Sequence, residues 1–190
     1  MFMKNQRENL IKNYVDNFCD VLKKINFKDV LNLKKAIAKS IKEKKNIYVC
    51  GNGGSAAISN HLHCDFLNQV SKRSKIKPKI FSLVSNIEIF SAVANDYKYE
   101  DVFYYQCKNY LKRGDVLFVI SSSGNSKNVV KAAKYAKKIG CKVFSIVGFK
   151  GGHIKKISNY SVHIKVNDYG MIEDATQVIM HFFAKETKIE

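Results

Sequence analysis

Two loops and two helix faces carry residue types at spacings that could do chemistry. The first loop is Gly51-Asn52-Gly53-Gly54-Ser55, which follows the apolar run Ile47-Tyr48-Val49-Cys50 and leads into an Ala-rich stretch free of Gly and Pro as far as Leu67. Glycines let successive backbone N–H groups turn toward one point, and the unpaired N–H groups of a helix start add partial positive charge there. With the Ser55 hydroxyl beside them, such a junction suits a phosphate monoester. The blander alternative is a strand-to-helix turn in which glycine only avoids a clash. No Lys-Ser or Lys-Thr follows the glycines, and Gly51, Gly53 and Gly54 do not fit G-x-G-x-x-G, which disfavours a nucleotide loop.

The second loop, Ser121-Ser122-Ser123-Gly124-Asn125-Ser126, follows the apolar run Val116 to Ile120. Serines at a helix start are ordinary capping residues. In an open parallel sheet, however, both loops fall at carboxyl ends of strands, where ligands bind. Several hydroxyls and two helix starts aimed at one point can hold a dianion without arginine.

The helix faces follow the loops. His61 and Asp65 are four apart and share a face, while His63 points roughly the other way. Such a pair serves a metal site, a base held by its partner, or an exposed ion pair. Near the C-terminus Glu173 and His181 stand two turns apart with Gln177 between, and the context Val178 to Phe183 (VIMHFF) is one that would bury a lone histidine. Taken together, the two His-carboxylate pairs form a candidate two-His, two-carboxylate site for a divalent ion.

The elements that must position these residues show in the periodicity. Leu10, Ile11, Tyr14, Val15, Phe18, Val21 and Leu22 predict an amphipathic helix over 1–25, and Val30, Leu31, Leu33, Ala36, Ile37 and Ile41 a second over 28–44. Strands are predicted at 47–50, 80–84, 116–120 and 141–149, with a short one at 160–166 following without an intervening helix. Helices are predicted over 55–68, over a stretch carrying Ile87, Ile89, Phe90 and Val93 that closes in Ala94-Asn95-Asp96, and over 102–111, 127–139 and 171–187. The rhythm predicts an α/β fold, doubly wound, with a mainly parallel five-stranded sheet flanked by helices. The chain reads as a single domain, 1–190, with residues 1–45 as a helical pair outside a core of 46–190. The apolar faces of that pair need a partner, and an oligomer would supply one.

Composition limits the function. A content of 46% hydrophobic residues supports a sizeable core, and no apolar run reaches membrane-spanning length. The five cysteines (Cys19, Cys50, Cys64, Cys107, Cys141) are scattered without a C-x-x-C pair, the usage of free thiols in a reducing compartment, so a cytoplasmic protein is expected. The net charge of +17 would suit nucleic acid, but only Arg7, Arg73 and Arg113 are arginine and the lysines are dispersed. A solvated lysine surface that steers anions is the reading adopted, with neither nucleic acid nor membrane as partner.

GNGGSAA (51–57), the serine turn 121–126, Ala94-Asn95-Asp96 and the histidine of the last helix together resemble the SIS (sugar isomerase) domain family, most closely its phosphoheptose isomerase branch. The resemblance covers essentially the whole chain. It implies an aldose–ketose isomerase that interconverts sedoheptulose 7-phosphate and D-glycero-D-manno-heptose 7-phosphate for surface polysaccharide, working as a homotetramer packed through the N-terminal helices. It further implies that Gly53, Ser55, Ser121, Ser122, Ser123 and Ser126 receive the sugar phosphate, and that Asn52 and Asp96 face its hydroxyls. His61, Asp65, Glu173 and His181 would bind zinc; Asp65 or Glu173 would take the proton, and His181 would move protons at the oxygens. Two departures stand out: Asp65 replaces the family's usual Glu, and Glu173 its usual Gln. The alternative is a non-catalytic phosphosugar-binding or adaptor protein of the same family.

Overall fold

In the computed structural model of the chain, residues 2–190 are described, with side chains from Glu8 onward. In chain order the elements are α1 (Phe2–Lys23), α2 (Phe27–Lys42), β1 (Asn46–Cys50), α3 (Gly54–Asp65), a π turn (Phe66–Val70) and α4 (Ser71–Arg73). There follow β2 (Lys79–Ser82), α5 (Ile87–Asp96), a 3-10 turn (Tyr99–Asp101), α6 (Val102–Tyr110), β3 (Val116–Ser121), α7 (Lys127–Lys138), β4 (Lys142–Val147), α8 (Gly152–Ile157), β5 (Tyr160–His163) and α9 (Tyr169–Glu186). The expected start of the first helix at Met1 lies outside the described residues.

The five strands form one sheet in the order β2-β1-β3-β4-β5, and every pairing is parallel. Strand residues are apolar on both sides because both faces are covered. Ile47 and Val49 of β1, Val116, Phe118 and Ile120 of β3, and Phe144 and Ile146 of β4 pack with α2, α3 and α9. Their neighbours Tyr48, Cys50, Leu117, Val119, Val143 and Val147 pack with α5 to α8 on the other face. The strand order reverses between β1 and β3, so the loops after these two strands open a crevice at the sheet's carboxyl edge.

One expectation needs correcting. β4 and β5 do not follow each other directly: the short helix α8 crosses between them, which is what makes β5 parallel to β4. The helix has six residues and a single buried one, Ile154, too few to show helical periodicity, and it starts from Gly151 in the left-handed conformation (φ 83°).

Asn26, Asn86 and Asp168 cap α2, α5 and α9, each accepting a hydrogen bond from a backbone N–H of the first turn. The α9 cap bears on the site, because it fixes where the helix carrying Glu173 and His181 begins. Helix α1 lies against α9, with the Tyr14 hydroxyl 3.3 Å from Asp174 Oδ2. Leu10, Ile11 and Val15 stay exposed on α1, and an apolar groove of about 350 Å³ runs between Leu22, Phe27, Leu31, Val178 and Phe182. No described helix is long and apolar enough to cross a membrane.

Candidate active site

The crevice between β1 and β3 holds a pocket of about 120 Å³ lined by Asn52, Ser55, Ser121, Ser122, Ser123, Ser126, Tyr169 and Glu173. Among the described residues, no lysine or arginine lines it. Its polarity comes from hydroxyls and from the starts of α3 and α7, whose first N–H groups have no partner within the helix. Gly53 stands before α3 with φ 54° and ψ −125°, a conformation that a side chain resists, and gives no capping bond. Ser126 stands before α7 and likewise makes no capping bond, which leaves its hydroxyl for the pocket. Ser121 and Ser123 are oriented within the loop, accepting from the backbone N–H of Gly124 and Asn125 at 3.2 Å each.

Asn52 is held from two sides. Its Oδ1 accepts from Asn128 Nδ2 at 2.8 Å and from the Tyr99 hydroxyl at 3.0 Å, and its Nδ2 donates to Asn128 Oδ1 at 3.0 Å. One Asn52 N–H therefore stays available to a ligand. Asp96 is not among the pocket's lining residues. It ends α5 on the exposed surface, where its carboxylate accepts from Asn95 at 2.9 Å, and it is Tyr99, three residues on, that reaches the loop.

A second cluster lies farther along the same two helices. His61, Asp65 and His181 bring their side-chain donors together: His181 Nε2 is 3.3 Å from His61 Nε2, and Asp65 Oδ2 is 3.5 Å from His61 Nε2 and 3.8 Å from His181 Nε2. Donors bonded at about 2.1 Å to one tetrahedral ion stand about 3.4 Å apart, so the three spacings suit a divalent metal. Asp65 Oδ2 is buried without a hydrogen-bond partner, a state that a cation would relieve. The imidazoles are about half exposed (48% and 53%), so the three donors form an open-mouthed group with room for a further ligand. His181 is thus on the surface despite its apolar sequence context, because α9 turns Ile179, Met180 and Phe183 inward and this position toward α3.

The expected four-donor set is met by three side chains. Glu173 does not join them: its carboxylate packs on Gly54, at the start of α3, so closely that a Cβ there would collide with it. The reason is reach. Glu173 and His181 are eight residues apart, about 12 Å along a helix, so they address opposite ends of the site. Burial, then the nearby Asp174, push the Glu173 carboxyl above its ordinary range.

Two amides to which the sequence assigns no role flank the cluster. Gln177 Nε2 is 2.8 Å from His181 Nε2, and Gln69 donates to Asp65 Oδ1 at 2.9 Å. Both are four residues from the side chain they touch, a helical spacing that could have flagged them. His63 points away from the cluster as expected, against Phe81 on the other side of α3, and burial lowers its pKa.

The fold, with a serine-lined crevice at the sheet's switch point, defines an α/β domain with an anion-ready pocket, and the chain belongs to the SIS domain family, whose model matches residues 13–148. Among individual relatives, the phosphoheptose isomerase of Clostridium acetobutylicum is 32% identical over 180 residues, covering 94% of this chain and 91% of its own. The structures of phosphoheptose isomerases from Francisella tularensis (TM-score 0.84, 22% identity, 93% of this chain and 95% of that one) and Neisseria gonorrhoeae (0.83, 24%, 95% and 97%) share the fold.

Proposed function

We propose that this chain is an aldose–ketose isomerase of a sugar phosphate, interconverting sedoheptulose 7-phosphate and D-glycero-D-manno-heptose 7-phosphate for surface polysaccharide synthesis. One observation carries the reading: an anion pocket built from serines and helix starts and a His61-Asp65-His181 cluster lie at two ends of the same pair of helices, α3 and α9. From Ser55 to His61 is about 9 Å along α3, and from Glu173 to His181 about 12 Å along α9. An extended seven-carbon chain with its phosphate is on the order of 10 Å long, with bonds of about 1.5 Å. A ligand of that length can rest its phosphate on the serines and bring its carbonyl end to the cluster. The names carried by the relatives point the same way.

The protein's own groups divide the work. Ser55, Ser121, Ser123 and Ser126, with Ser122, would hold the phosphate; Gly53 would let the backbone approach it, and the free N–H of Asn52 would bind a hydroxyl. Asp96 would take part only if its exposed carboxylate turned inward. Isomerisation then needs a base to take the proton from the carbon beside the carbonyl and an acid-base group at the oxygens. Glu173 lies at the anion end, about 12 Å along α9 from His181, so the proton transfers at the carbonyl end fall to Asp65 and His181 of the cluster. Zinc held by His61, Asp65 and His181 would supply positive charge for the enediolate oxygens.

The exposed apolar faces of α1, α2 and α9 support a homotetramer packed through the N-terminal helices, in a single-domain protein of the cytoplasm with no nucleic-acid partner. Asp65→Asn and His181→Ala test the assignment: each is expected to abolish turnover while leaving thermal unfolding of the metal-free protein close to that of the parent. Near-normal activity in both purified variants would defeat it. The second reading, a phosphosugar-binding or adaptor module without turnover, draws on the separation of Glu173 from the cluster. It predicts tight substrate binding with no conversion at any metal loading.

A further inference from the structure

Asp65 closes α3 and is buried, with 6% of its surface exposed, and its two oxygens differ in their surroundings. Oδ1 accepts a hydrogen bond from Gln69 Nε2 at 2.9 Å. Oδ2 is buried, lacks any hydrogen-bond partner, and faces His61 Nε2 and His181 Nε2 at 3.5 and 3.8 Å. A bare carboxylate oxygen in such a place is unfavourable unless a cation or a proton meets it.

The backbone between Asp65 and Gln69 is also unusual. The helix widens into a π turn over Phe66–Val70, immediately after Asp65. Turns of this kind are rare and concentrate at functional sites, because the extra residue redirects the side chains around it. Here Phe66 and Val70 stay in the core and Leu67 and Asn68 face solvent, while Gln69, itself exposed, folds back onto the carboxylate.

We infer that Gln69 is a positioning residue for the metal cluster: by holding Asp65 Oδ1 it fixes the plane of the carboxylate and directs Oδ2 at the two imidazoles as a single-oxygen donor. The inference rests on the metal reading proposed above. It accounts for a buried acid with one oxygen held by a hydrogen bond and the other without one, which two solvent-facing histidines alone do not explain. Hydrogen-bond partners of ligating carboxylates typically change metal affinity by about 10- to 100-fold. Because Gln69 is exposed, removing its amide leaves the core intact.

The test uses the full chain and two variants, Gln69→Met, which keeps the side chain's length without a donor, and Gln69→Leu, which also lacks one. Zinc affinity is measured by competition with a coloured chelator, and the visible spectrum of the cobalt-substituted protein reports the ligand set. Thermal unfolding of the metal-free samples monitors the fold, and inorganic phosphate titration monitors the serine pocket. Expected are one zinc per chain in the parent, affinity lower by about 10- to 100-fold in both variants, an altered cobalt spectrum, and unchanged phosphate affinity and metal-free melting. Zinc affinity within threefold of the parent in either folded variant overturns the inference and leaves the metal reading standing. Absence of zinc binding by the parent overturns both.

Discussion

Gly51 follows β1 directly and lies between the backbones of the two phosphate-facing loops. A Cβ built on it would lie 2.7 Å from the Ser55 carbonyl oxygen and 2.8 Å from the Ile120 carbonyl oxygen. Ordinary contact begins near 3.4 Å, so Gly51→Ala demands a shift of roughly 0.6 Å from two backbone groups that have no rotamer with which to yield. Overpacking of this kind costs about 1–3 kcal/mol. For a chain of this length, each kcal/mol lowers the melting temperature by about 2–4 °C, which gives a fall of roughly 2–12 °C. The functional effect is the larger one, because the displaced oxygens belong to the first turn of α3 and to the residue before Ser121. Moving either end by half an ångström spoils the convergence of Ser55 with the Ser121 loop, and inorganic phosphate is expected to bind at least tenfold more weakly, about 1.4 kcal/mol. Calorimetric melting and phosphate titration of the same preparation measure both. A variant that melts within 1 °C of the parent and binds phosphate equally well would refute the reasoning, since the backbone would then have room that the geometry denies.

Glu173→Gln separates binding from chemistry. A carboxylate and a bound dianion share one small pocket, and removing a like charge at a separation of about 6 Å and an effective dielectric of about 20 is worth on the order of 5–6 kcal/mol before screening and rotation reduce it to roughly 1. Sulfate, a dianion throughout the neutral range, is expected to bind about fivefold tighter while the distant cluster, and with it turnover, stays in place. In the parent, sulfate affinity should decline as pH rises through the elevated Glu173 titration, because the carboxyl gains charge, and this decline should vanish in the variant. Parallel pH profiles would place the carboxylate away from the anion. The cysteines give an independent check of the fold: Cys19 and Cys64 are exposed, whereas burial pushes the Cys50 and Cys107 thiols far up and Cys141 to about 11. Two thiols should react rapidly with an aromatic disulfide at pH 8 and three only on unfolding; rapid reaction of a third would contradict the packing of the sheet.

Each loop alone has an ordinary reading as a turn or a helix cap, and the two become legible in the sequence as a pair, because a parallel sheet brings both to one edge. The sheet is legible for a related reason: β1, β3 and β4 are apolar on both faces, and only a parallel sheet covered on both sides has use for that. Helix α8 is not, because six residues with one buried side chain leave no period to detect. The π turn is hidden in the same way, since helical periodicity does not register one extra residue in a turn. At the site, His61 and Asp65 follow from spacing on one helix, and their meeting with His181 depends on how α9 crosses α3, which sequence does not state. Glu173 shows the limit most clearly. Its distance from His181 can be counted along the chain, but only the packing of Gly54 against it reveals that it belongs to the anion end.

The most direct test of the proposed activity follows sedoheptulose 7-phosphate by NMR in the presence of the purified protein, with zinc added and after chelation. The account predicts appearance of the aldoheptose 7-phosphate, loss of conversion on chelation, and recovery when zinc is restored. Substrate that binds the protein and is never converted, at any metal loading, would contradict the isomerase and leave a phosphosugar-binding domain in its place.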